Sequence, residues 1–301
     1  MTVSSPSQAS NMTPESPELQ KRDPASAQRA GKLVVLTGAS GGIGLLVARR
    51  LLADGYRVIA LCRSKPALES PDLVHVACDL GNEGSLAEAA HHLRREETVL
   101  HALIHCAGTI TPSPVAEAQD DDLTAQIALN LTAPILLTRH LLPLLTSRGD
   151  GARGHIVFVN SMAAVMPLAG SAVYAASKAG LRSFALSLAQ ELRRSCITVS
   201  TVFPGAVQTD MLIREMQQGG SMLNYVSTPL DPDRVARSVA AQLRRPHAEI
   251  YLPAMDGIFG RLCMLAPCLL RLTLPVLGAA GRRGYRKAMA KISRTGDDRA
   301  V

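Results

Sequence analysis

The chain is predicted to be an α/β protein, a doubly wound parallel sheet with helices on both faces, and three observations lead there. Short runs of branched apolar residues alternate with helical patterns along most of its length. A glycine-rich turn joins the first run to the first helix, and 301 residues that are 47% apolar suffice for one large core. In order, residues 33–36 read as a buried strand, residues 37–44 as the turn, and the helix after it runs to about Asp54. Strands follow at 57–62 and 73–77, a helix at 84–93 and a strand at 100–105. Residues 119–145 are broadly helical, 155–159 a strand, 171–194 a helix, 197–203 a strand, 232–243 a helix and 249–252 a last strand. The expected organisation is a disordered tail at 1–31, one folded domain at 32–257 and a basic, apolar extension at 258–301. Ligands of such sheets bind outside the carboxyl ends of the strands, where Gly38, Ser161 and Pro204 fall.

Between Lys65 and Lys287 there are eighteen arginines and one lysine, Lys178, four residues after Tyr174. An ammonium is compact enough to sit among buried groups, and at i and i+4 it shares a helix face with the tyrosine, where it favours the ionised phenol. The turn Thr37-Gly38-Ala39-Ser40-Gly41-Gly42-Ile43-Gly44 lies between strand and helix. Its glycines let the backbone approach a pyrophosphate, and the helix start offers free N–H groups and a positive dipole end. Ser161 ends an apolar strand, thirteen residues before Tyr174.

Together these motifs resemble the short-chain dehydrogenase/reductase family, with its T-G-x-x-x-G-x-G turn, its Y-x-x-x-K pair and a serine thirteen residues upstream. The resemblance extends from about Lys32 to Leu252. It implies a Rossmann fold with strand order 3-2-1-4-5-6-7 and a nicotinamide cofactor. It also implies catalysis by Asn130, Ser161, Tyr174 and Lys178, with Tyr174 as acid/base, Lys178 also on the nicotinamide ribose and Asn130 anchoring a water. The same resemblance puts Thr37, Gly38, Ser40, Gly42, Ile43, Gly44, Asp79, Leu80, Ala107, Gly108, Pro204, Gly205 and Thr209 at the cofactor. It implies assembly as dimers or tetramers through the long helices at 119–145 and 171–194. One departure stands out: the family's N-N-A-G reads His105-Cys106-Ala107-Gly108, so Cys106 cannot make the asparagine's bonds, and some rigidity is expected to be lost. His105 reads as a packed strand residue.

An acidic residue at the end of the second strand would hold a ribose 2′-hydroxyl, but here Arg63, Ser64 and Lys65 follow Cys62. Two cations and a hydroxyl suit a 2′-phosphate, so NADP(H) is expected over NAD(H), with Arg63 as the binding residue. NADP(H) favours reduction of a ketone or aldehyde; an NAD-linked alcohol or sterol dehydrogenase is the alternative, and a nucleotide-binding scaffold without turnover the third reading. In the segment at 206–229, Met211, Leu212, Ile213, Met216, Met222 and Leu223 suggest an adaptable apolar cover for a small lipophilic substrate.

The N-terminal tail, rich in Ser and Pro, carries no apolar signal stretch. Six cysteines lack metal spacing and read as reduced thiols in a cytoplasmic protein. No Trp and 3% aromatics argue against a nucleic-acid partner. From Ile258 on, nine basic and two acidic residues balance to +7, the net charge of the whole chain. The apolar run at 262–280 holds Arg271 and two prolines, which suits a broken segment at a membrane surface or over the substrate's way in, or else a dimer contact, rather than a full span.

Overall fold

Buried strands come first in the hierarchy. In the computed structural model, which describes residues 31–97, 99–146 and 153–297, seven strands form one parallel sheet in the order β3-β2-β1-β4-β5-β6-β7. They are β1 (Leu33–Thr37), β2 (Arg57–Cys62), β3 (Leu73–Ala77), β4 (Ala102–His105), β5 (Gly154–Val159), β6 (Ile197–Pro204) and β7 (Glu249–Leu252). The predicted order and direction are those observed. Side chains alternate across the sheet: Val35, Ile59, Leu103 and Phe158 face one apolar layer, and Val34, Val58, Ile104 and Val157 the other. Apolar residues at both parities make each run continuously apolar, as a sheet covered on both sides requires.

The first layer is closed by α2 (Glu83–Glu96), α4 (Ala133–Thr146) and α5 (Ala172–Glu191), the second by α1 (Gly42–Ala53) and α7 (Pro232–Ala241). Asn82 caps α2 by accepting the Ser85 N–H at 2.9 Å, and Asp231 caps α7, whose first residue is Pro232. Arg50 of α1 grips Asp233 of α7 through Nε at 2.9 Å and Nη2 at 2.6 Å. Arg182 of α5 holds Glu249 of β7 at 2.6 and 3.2 Å, which ties the edge strand to the helix layer. The predicted helix at 119–145 is α3 (Asp120–Ile127), a π-turn (Ala128–Thr132) and α4.

Two further helices follow the remaining α6 (Asp210–Gln217): α8 (Ala254–Leu265) and α9 (Pro267–Asp297). Proline breaks the C-terminal run only once. Pro267 opens α9, where no N–H is needed, whereas Pro275 sits inside the helix. The tail at 1–30 lies outside the described residues.

Candidate active site

The carboxyl ends of the strands converge on a cavity of about 380 Å³. Its walls include Ser161 after β5, Tyr174 and Lys178 from α5, and Pro204 and Gly205 after β6. Ile43, Gly108 and Thr209 line it too, so cofactor-turn and catalytic candidates share one space. Among the residues expected to cover it, Met211, Leu212 and Leu223 line the cavity. Ile213, Met216 and Met222 do not, and Ile213 and Met222 are exposed.

Tyr174 lies in the first turn of α5, and the Lys178 Nζ stands 5.9 Å from its ring centroid. Burial pushes the phenol up to about 12; a hydrogen bond with Ser161 lowers it and the Glu215 carboxyl raises it further. Lys178 is buried, donates to the Val159 carbonyl at 3.3 Å, and is brought down to about 8 by loss of solvent, with Cys106 opposing. Ser161 starts a 3₁₀ turn, its Oγ accepting the Ala163 N–H at 3.1 Å. Asn160, beside it, was not singled out from sequence. Its Nδ2 donates to the Lys178 carbonyl at 3.1 Å and its Oδ1 accepts the Ser161 N–H at 2.8 Å, so one side chain fixes both catalytic candidates. The only signal was an amide ending an apolar strand.

Asn130 is fully buried on the π-turn, behind the cavity wall rather than in it. Its Oδ1 accepts the Thr109 N–H at 2.9 Å, and its Nδ2 donates to the Thr109 carbonyl at 2.8 Å and to Ser177 Oγ at 3.2 Å. With both amide hydrogens committed, a water held by this residue would donate to the spare lone pair of Oδ1 or bond its main chain.

The glycine-rich turn is tight. Gly38 has φ +70°, and a Cβ there would lie 2.8 Å from the Ala107 backbone. Gly41 gives α1 no side-chain cap, the first turn carries no acid, and Ser40, Gly41 and Gly42 are exposed, which leaves the helix start open to a phosphate. Gly44 packs on Gly38 within the turn. Thr37 is turned away: its Oγ1 accepts the N–H groups of Cys106 at 3.0 Å and Ala107 at 3.1 Å, tying β1 to the end of β4 beside Cys106. Arg63, like Lys65, is exposed past β2, with no ion pair among the described residues. Asp79 lies past β3, its Oδ1 bonded to the Gly81 N–H at 3.0 Å. Leu80 puts its side chain into the core, so only its backbone could face a nucleotide. The residues present therefore fit a nicotinamide dinucleotide.

His105 stacks on Phe158 at 4.8 Å, bonds Thr138 at 2.9 Å, and burial takes it down to about 3. It is a packing residue. All six cysteines are unpaired, and no cluster of metal-ligating residues occurs among the described residues.

Residues 32–219 match the family model described as short chain dehydrogenase. An uncharacterized short-chain type dehydrogenase/reductase of Sinorhizobium fredii is 31% identical over 222 residues, 71% of this chain and 86% of the relative. A short chain dehydrogenase of Burkholderia cenocepacia, solved with NADP, is 27% identical with TM-score 0.68, covering 81% of this chain and 97% of that one. A 3-ketoacyl-(acyl-carrier-protein) reductase of Brucella melitensis, solved with NADH, is 25% identical with TM-score 0.66, covering 73% and 96%.

Proposed function

The chain belongs to the short-chain dehydrogenase family, and on that premise we propose that it is an NADP(H)-dependent reductase of a lipophilic ketone or aldehyde. One observation carries the reading: Ser161, Tyr174 and Lys178 share a cavity whose other walls are largely apolar, among them Met162, Met166, Leu168, Phe259, Leu270 and Leu277. The cofactor, when bound, supplies the hydride for the substrate carbon. Tyr174, kept protonated by burial, gives its phenolic proton to the substrate oxygen. The Lys178 ammonium favours the phenolate left behind. Ser161 donates a hydrogen bond to the same oxygen, a contribution of roughly 3 kcal/mol to the barrier. Asn160 and Asn130 hold these groups in register.

Arg63 supports the choice of NADP(H), since a free guanidinium past β2 can pair with a 2′-phosphate. Titration with NADPH and NADH, followed by nicotinamide fluorescence, tests it without a known substrate. NADPH is expected to bind more tightly, and Arg63→Asp should weaken NADPH roughly 10- to 100-fold while leaving NADH nearly unchanged. An Arg63→Asp protein that kept its NADPH preference would remove the argument. The NADH-bound Brucella reductase favours NAD(H) use as a second reading, and the reverse titration would redirect the search to an NAD-linked alcohol dehydrogenase.

The C-terminal helices extend the proposal to a membrane surface. Leu270 and Leu277 line the cavity on one face of α9, while Leu269, Leu272 and Val276 stand exposed on the opposite face. Leu265 and Met255 of α8 are 84% and 71% exposed, and no acidic residue occurs between Asp256 and Asp297. Exposed apolar side chains among arginines suit the interface of an anionic bilayer. The protein should co-sediment with phosphatidylglycerol vesicles and less with phosphatidylcholine ones, and Leu265→Glu/Leu272→Glu/Val276→Glu should abolish binding. A wild type that ignores both vesicles, or dimerises through this face, overturns this part.

A further inference from the structure

Glu215 of α6 lines the same cavity as the catalytic candidates. One hydrogen bond fixes the carboxyl, and two more contacts fix the backbone that carries it. Asn224 Nδ2 donates to its Oε1 at 2.7 Å, its main-chain carbonyl accepts the Gly220 N–H at 2.8 Å, and α6 itself is anchored by the Thr209 cap. Its second oxygen, Oε2, has no hydrogen-bond donor among the described residues. The carboxyl is close enough to the reacting end for its charge to act on Tyr174. Sequence reasoning singled out neither Glu215 nor Asn224, since only the apolar residues of that segment formed a pattern.

The cavity is also unbalanced in charge. Glu215 and Asp256 both line it, and among the described residues Lys178, of the catalytic wall, is the only lining cation. A carboxyl fixed by an amide in an apolar space, with an oxygen to spare, is a hydrogen-bond acceptor waiting for a donor. A substrate with its own carboxylate would meet like charge and no counterion.

Resting on the reductase reading above, we propose that Glu215, positioned by Asn224, is a specificity-determining residue that selects a neutral lipophilic carbonyl compound bearing a hydroxyl, and that carboxylate-bearing substrates are rejected. The hydroxyl donates to Oε2 while the carbonyl faces Tyr174 and Ser161.

The test is a series of methyl ketones of graded chain length, ending in a hydroxyl, a methyl or a carboxylate, reduced with NADPH. At the best-fitting length the hydroxyl series should exceed the methyl series roughly tenfold or more in kcat/KM, through KM, with the carboxylate series lowest. Glu215→Leu should bring the hydroxyl-to-methyl ratio to about one, and Glu215→Gln, which keeps an acceptor, should restore it. Equal rates for hydroxyl and methyl ketones at every length, or a ratio unmoved by Glu215→Leu, overturns the proposal. If no ketone is reduced, it is the reductase reading that fails. The subsite is then decided by binding of the same compounds to Tyr174→Phe saturated with NADPH, read by nicotinamide fluorescence. A hydroxyl preference there that disappears on adding Glu215→Leu supports the subsite, and no preference overturns it.

Discussion

Tyr174→Phe should lower kcat for ketone reduction by about a thousandfold, within the range that general acid catalysis contributes, while NADPH affinity changes by no more than about twofold. The substitution removes one oxygen. The ring stays on the cavity wall, and Lys178 keeps its hydrogen bond to the Val159 carbonyl. What disappears is a proton held at a site where burial keeps the phenol up near 12, so that it stays on oxygen until a substrate accepts it. Steady-state rates and a fluorescence titration on one preparation separate the two effects. A residual rate within tenfold of wild type would point to a second acid, and Glu215, whose carboxyl is itself pushed up by burial, is the group in the cavity to examine by adding Glu215→Leu.

Lys178→Met should be nearly as damaging to turnover and should make the protein more stable at neutral pH. Burial lowers the folded ammonium from 10.5 to about 8. Below pH 8 both the folded and the unfolded chain carry the charge, and the folded state bears the full desolvation cost, roughly 3 kcal/mol for a shift of this size. Between about 8 and 10.5 the folded protein sheds the proton while the unfolded one keeps it, so the wild type gains stability as pH rises; above 10.5 the cost is gone. A methionine lacks the cost at every pH. Its advantage should be roughly 5 to 10 °C in Tm at pH 7 and should shrink across pH 8–10.5. Wild-type reduction should decline above about pH 8, as the ammonium that favours the phenolate is lost, and this limb should be absent from the variant's residual rate. A variant less stable than wild type at pH 7 would mean that the Lys178 bond to Val159 outweighs the desolvation.

What could be read from sequence, and what could not, divides by how local the cause is. The strands were legible because each buries both faces and says so in consecutive apolar residues, as Val34, Val35 and Leu36 do. Tyr174 and Lys178 were legible because one helical turn brings them together. The cofactor turn was legible because its glycines and the uncapped start of α1 are neighbours in sequence. Asn160 reaches Lys178, 18 residues away, and Asn130 reaches Ser177, 47 residues away, and no local pattern reports such bonds. Glu215 lines a cavity that Leu270 and Leu277 of α9, far along the chain, help to wall, so its surroundings are not local in sequence. Leu80 was expected at the nucleotide, yet its side chain belongs to the core, since residues just past β3 alternate as the strand does.

The contact between α9 and the cover also bears on how this enzyme could be remodelled. Gly281 and Gly284 lie against the backbones of Met222 and Tyr225, where an added Cβ would come within 2.4 and 1.9 Å. This backbone-to-backbone approach clips the segment at 222–225 to α9. The part of the chain matched by the family ends at Gly219, just before this clip. A loop grafted from a relative in place of this segment should therefore lose its seat on α9, and a workable transplant should carry residues from both sides of the clip.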